Sequence, residues 1–153
     1  MSPRINAFAV HPEALKPMMA LEEHLAKSDL GHTLIELVKT RASQINGCAF
    51  CLHMHTADAR AGGESEERLH LLAAWWESSL YTERERAALA WTEALTRVAD
   101  SKAPDEAYEP LKAHFSDKEI VDLTVLIMTI NAWNRLAVGL RTQHPRSWAK
   151  AAA

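Results

Sequence analysis

Hydrophobic residues recur along this chain at three- and four-residue intervals, and strict alternation is scarce. Leu30, Leu34, Leu37, Val38 and Ile45 form one such stripe, the signature of an amphipathic helix. With few glycines and prolines as well, the pattern predicts an all-α, single-domain helical bundle over residues 1–153, its core spanning about 12–141. A first segment opens at Pro12 and reaches about Lys27. A second runs from about Asp29, read as its N-cap, to about Ile45. Asn46-Gly47 breaks it. A third helix carries both cysteines and ends at Gly62-Gly63. Ser65, Glu66 and Glu67 suit the start of "SEERLHLLAAWW". Thr82 with Glu85, and Ser116 with Glu119, have capping-box spacing before two further helices. A short helix follows Pro104, and the tail from Pro145 to Ala153 is predicted to fray.

The last helix is apolar on nearly all sides from Leu123 to Ile130, so it must be covered all round. Either it runs through the centre of the bundle or a second subunit covers it. Asp122, Asn131, Asn134 and Arg135 within it argue against a membrane span. Buried amides need partners, so Asn131 and Asn134 are expected at an interface or a pocket wall. Trp75, Trp76, Trp91 and Trp133 fall at helical spacing and read as core or interface more readily than as pocket lining.

Charge narrows the partners. The formal net charge is −3 and no basic stretch tracks a phosphate backbone, so nucleic acid is not an expected partner. The first residues lack an apolar core of signal-peptide length, which makes the cytoplasm the expected compartment. A lasting structural disulfide is unexpected there. A CxxC pair in that setting binds metal or does redox chemistry.

The chemistry concentrates in "INGCAFCLHMH", Ile45 to His55. If Asn46 or Gly47 caps the third helix, Cys48 and Cys51 share one face of its first turn. Free N–H groups and the helix dipole there stabilise a thiolate. His55 lies one turn beyond Cys51 on the same face and can take a thiol proton. His53 points away from that stripe and reads as a surface or interface residue. If the Asn46-Gly47 turn folds the helices back antiparallel, Glu36 comes level with about residue 57, within a turn of His55. It stays roughly 13 Å along the axis from Cys48, too far for contact. The geometry therefore suggests a relay Glu36–His55–cysteine. Three readings stay open on the residues alone: zinc held by Cys48, Cys51, one histidine and a remote fourth ligand; two buried thiols of no chemical use; and a redox pair with a base.

Glu36, twelve residues before Cys48, and the run "RASQINGCAFCLHMH" resemble the alkylhydroperoxidase D-like branch of the carboxymuconolactone decarboxylase superfamily. Its pattern is a glutamate followed by CxxCxxxH with an "NGC" lead-in, here Glu36, Cys48, Cys51 and His55. "GESEERL", "ERERAALAWTEALTR" and "INAWNRLAVGLR" extend the likeness from about Leu30 to Arg141. The resemblance implies an all-α fold assembled as a trimer or hexamer. It implies a peroxidase that reduces hydroperoxides with a dithiol or protein-thiol reductant and needs no haem, flavin, metal or other cofactor. Glu36 and His55 would relay protons to Cys48 and Cys51; on the residues themselves, proximity to His55 favours Cys51 as the attacking thiol, while the free N–H groups of the first turn favour both. The decarboxylase branch generally lacks the cysteine pair. Some peroxidase members carry a histidine just before the second cysteine, where this chain has Phe50, a difference that bears on peroxidase strength. The alternatives are a general thiol–disulfide oxidoreductase and a non-catalytic oligomer that senses oxidation or binds metal.

Overall fold

The computed structural model describes residues 2–145, and every regular element among them is helical. In chain order the helices are α1 (Ala7–Val10), α2 (Lys16–Leu25), α3 (His32–Asn46), α4 (Ala49–Ala61), α5 (Glu66–Leu71), α6 (Glu83–Thr96), α7 (Val98–Ser101), α8 (Asp105–Tyr108) and α9 (Asp117–Leu140). Short 3-10 turns at Pro12–Ala14, Leu72–Glu77 and Glu109–Ala113 join them. The frayed tail expected at 145–153 lies, from residue 146 on, outside the described residues.

Helix starts follow local chemistry. Ser65, Thr82 and Ser116 cap α5, α6 and α9, each side chain accepting the N–H three residues on. Glu85 and Glu119 reach back to complete two capping boxes. Two starts differ from expectation. Pro12 opens only a 3-10 turn; α2 begins later, with Pro17 in its first turn, where a fixed φ helps and no N–H is missed. Asp29 does not cap α3. Gly31, at φ 82°, turns the chain into that helix instead, and Asp29 pairs with Lys118 at 2.8 Å.

The core lies where α3, α6 and α9 meet, and Leu37, Val38, Ala88, Leu89, Leu123 and Leu126 are fully enclosed there. The enclosed helix is α3 rather than the last one. All ten residues from Leu34 to Ser43 are buried, because α4, α6, α9 and the 3-10 turn before α6 pack around them. Polar residues on α3 are buried with the rest and need partners there. Lys39 finds Glu22 at 2.5 Å, and Arg41 finds Glu93 at 2.8 Å. By length and composition α9 is apolar enough to cross a membrane. Here it packs on α2, α3, α4 and α6, and leaves Val121 and Met128 about three-fifths exposed, at 61% and 63%.

Candidate active site

Backbone geometry at the end of α3 places the cysteines. Gly47 takes φ 65°, a left-handed conformation that favours glycine. The Cys48 N–H then bonds the Ser43 carbonyl at 3.0 Å and the Gly47 N–H bonds that of Gln44 at 3.3 Å. This is a Schellman ending, and it consumes Asn46 and Gly47 in closing α3. Cys48 itself therefore caps α4, one or two positions later than the Asn46 or Gly47 cap that the sequence suggests. Its Sγ accepts the Cys51 N–H at 3.3 Å. The two sulfurs are joined as a disulfide, with Cα atoms 5.4 Å apart. Both residues are buried, against Ala137 of α9 and Phe50.

Glu36 and His55 meet across the α3–α4 hairpin, as the antiparallel arithmetic predicts. His55 Nδ1 lies 2.9 Å from Glu36 Oε2. Facing an ionised carboxylate, which only accepts, Nδ1 would donate, and Nε2 would be the nitrogen left for exchange. Both side chains are more than nine-tenths enclosed, although Glu36 lies off the apolar stripe. Its burial comes from α4 folding over it.

Cys51, His55 and Glu36 open onto one cavity of about 830 Å³, walled by α2, α3, α4, α9 and the N-terminal segment. Cys48 is not among its walls. Trp133 lines it and stacks on Phe8 at 6.2 Å between ring centres, so one of the four tryptophans is a pocket residue. Trp91 is core and donates to Thr124. Trp75 donates to Glu93, while Trp76 is half exposed beside Arg41. His53 stacks on His144 at 4.8 Å. Burial, then the nearby His144 and Arg60, push its pKa down.

Three site residues were not foreseen. Lys39, three residues after Glu36, enters the cavity wall with its partner Glu22. Asp58 stands one turn past His55, and its carboxylate, the His55 ring and the Glu36 carboxylate have ligand-type atoms within 4.8 Å of one another. Cys51, His55 and Asp58 lie at i, i+4 and i+7, so helical phase alone could have found Asp58. These three groups are where a cation would find donors, but Glu36 and His55 already bond each other there. The zinc set built on Cys48 and Cys51 needs two thiolates, which only the reduced pair supplies. Neither Asn131 nor Asn134 lines the cavity. They are buried in α9 and bond the end of α3.

The chain is similar to several known proteins. YdfG of Bacillus subtilis, itself uncharacterized, is 41% identical over 140 residues, covering 92% of this chain and 95% of its own. A crystal structure from Agrobacterium tumefaciens, of a protein of unknown function described as a candidate AhpD antioxidant-defence protein, superposes with TM-score 0.93. It is 53% identical and covers 95% of this chain and all of its own. A peroxidase-related protein of Silicibacter shares the fold, with TM-score 0.80 at 24% identity over 92% of this chain and 74% of its own. The sequence pattern of the carboxymuconolactone decarboxylase family matches residues 12–94, over half the chain. The chain belongs to the carboxymuconolactone decarboxylase family and has the AhpD-like fold.

Proposed function

We propose that this protein is a thiol-dependent peroxidase. The observation that carries the reading is the buried Glu36–His55 pair, 2.9 Å apart, opening onto the same cavity as Cys51. A redox disulfide alone would suit many oxidoreductases. A base held by a carboxylate, facing a cavity beside the thiol, suits a reaction that must move a proton between thiol and leaving group. The AhpD-type description of the Agrobacterium protein supports the same reading.

In the reduced protein the Cys51 thiol gives its proton to His55 Nε2, and Glu36 balances the imidazolium. The thiolate attacks one oxygen of a hydroperoxide. The O–O bond breaks, and the departing alkoxide takes the proton from His55 as alcohol. Cys51 is left as a sulfenic acid. Cys48, three residues away, displaces its hydroxyl; the S–S bond forms and water leaves with the Cys48 proton. A dithiol reductant then restores both thiols and is itself oxidised to a disulfide. The cavity gives this sequence its asymmetry: Cys51 faces it, and Cys48 resolves from behind. A cell compartment kept reducing, such as the cytoplasm, would supply the reductant. Val121, Met128 and Val138, exposed along α9, would be covered in a homo-oligomer, a trimer or hexamer by family analogy.

The test is consumption of an organic hydroperoxide by the purified protein with a dithiol donor. Turnover is expected, and Cys51→Ser should abolish it. Disulfide exchange with the donor but no peroxide consumption would make the protein a general thiol–disulfide oxidoreductase instead. Sedimentation at micromolar concentration checks the oligomer, and a monomer there rejects it.

A further inference from the structure

Two buried asparagines on α9 carry an inference beyond the relay. Asn134 is fully enclosed and Asn131 nearly so. Both polar side-chain atoms of Asn134 bond the last turn of α3. Its Oδ1 accepts from Asn46 Nδ2 at 2.8 Å, and its Nδ2 donates to Ser43 Oγ at 3.0 Å. Asn46 Nδ2 also donates to Asn131 Oδ1 at 3.0 Å, an oxygen that Arg135 holds from the other side at 3.0 Å. Asn131 Nδ2 donates to Thr96 Oγ1 and to the Ile127 carbonyl, which anchors the cluster to α6 and α9.

The residues gripped are the ones that seat the redox pair. The Ser43 carbonyl accepts the Cys48 N–H, while its hydroxyl takes Asn134. Asn46 is the last residue before the left-handed Gly47, and Cys48 follows. Stable helix ends do not need such a grip: Gly62 closes α4 with backbone bonds alone. We propose that Asn134, acting with Asn46 and Ser43, is a positioning residue of the redox site, holding the Gly47 turn so that Cys48 Sγ stays seated on the Cys51 N–H. In the reduced protein that N–H and the start of the α4 dipole stabilise the Cys48 thiolate. Loosening the turn therefore raises the Cys48 pKa. It also disfavours the reduced form, which makes the disulfide harder to reduce.

This inference rests on the thiol chemistry proposed above, but its readouts do not require peroxide turnover. The ionisable groups that share the pair's cavity or this network are Cys51, His55, Glu36, Lys39, Asp58, Glu22, Glu23 and Arg135. All except Cys51 stay in place during the test. In a Cys51→Ser background, which keeps the residue-51 N–H, Cys48 alkylation is measured against pH. Asn46→Ala should slow alkylation at neutral pH by about two- to fivefold, the range set by helix-terminus effects. Asn46→Gln, which keeps an amide donor, should recover part of the loss. Thr129→Ala removes a buried hydroxyl elsewhere on α9 and should lower the melting temperature without moving the profile. With both cysteines present, equilibration against a dithiol should show a more negative potential for Asn46→Ala. Asn134→Ala should do the same where it folds; Asn46, partly exposed at a helix end, keeps the test alive where it does not. An unchanged Cys48 profile and potential in Asn46→Ala overturn the proposal, whatever happens to stability. A shifted profile in a protein that consumes no peroxide would leave it standing and remove the peroxidase reading.

Discussion

The start of α4 and the starts of α6 and α9 use one geometry for different ends. In each, the capping side chain accepts the N–H of the residue three positions on: Thr82 from Glu85, Ser116 from Glu119, Cys48 from Cys51. In α6 and α9 the third residue is a glutamate that reaches back to the cap, and an arginine secures it. Arg68 bonds Glu85 at 2.6 Å, and Arg84 bonds Glu119 at 2.8 Å. The dipole there is met by a fixed charge. In α4 the oxygen and the carboxylate are replaced by two sulfurs. CxxC thus occupies the register of a capping box, but the charge at that helix start can appear, move and vanish. The first turn of α4 carries no acidic residue to meet the dipole, which leaves it available to a thiolate. One turn on, where the other helices continue with packing residues, α4 presents His55 with its buried carboxylate.

The comparison breaks most sharply at the third position. Cys51→Ser should reduce dithiol-dependent peroxide consumption to background. Cys48→Ser keeps a capping oxygen and should leave one turnover, with Cys51 trapped as a sulfenic acid that mass spectrometry detects as a dimedone adduct. An adduct on Cys48 in the Cys51 variant, and none here, would reverse the roles. Next in size is the relay. His55→Gln should cost about 10²-fold in kcat/KM, the usual scale for losing a general base, and Glu36→Gln about tenfold. The double variant should lose less than the product, because the two act as a unit. Equal and independent losses would mean that Glu36 does not work through His55.

The capping boxes define the smallest effect. Ser116→Ala should destabilise the fold by about 1 kcal/mol and leave cysteine alkylation unchanged. Glu119 gives the same contrast a pH signature. The Ser116 N–H it accepts, then the Arg84 guanidinium, hold its pKa down at about 2, against 4.5 unperturbed. A carboxylate depressed in the folded state stabilises above its unfolded pKa and loses that contribution as pH falls through the folded one. Urea midpoints of Glu119→Gln and the parent should therefore differ fully above about pH 4.5 and converge near pH 2. A constant gap across that window would mean the carboxylate's charge is not what stabilises α9.

The sequence by itself determined what local periodicity encodes. Helix starts at Ser65, Thr82 and Ser116 were readable because a cap and its N–H lie three residues apart on one chain. The phase of Cys51 and His55 on α4 is the same kind of fact, and the approach of Glu36 to His55 needed only a short turn and two helical rises. Whether these residues are catalytic is a matter for the variants above. Other features needed distant parts of the chain. Glu36 lies off the apolar stripe, yet α3 is the enclosed helix, and enclosure depends on what α4, α6 and α9 bring against it. Lys39 meets Glu22 from α2, seventeen residues earlier, and Asn134 reaches Ser43 across ninety-one. No pattern within one helix reports such partners, because burial and hydrogen bonding at those positions are set by long-range packing. The shift of the α4 cap to Cys48 came from Gly47, which closes α3 before α4 begins. Composition and spacing therefore specified the helices and the chemical groups they carry, and tertiary packing selected which polar groups were buried together and which sulfur faced the cavity.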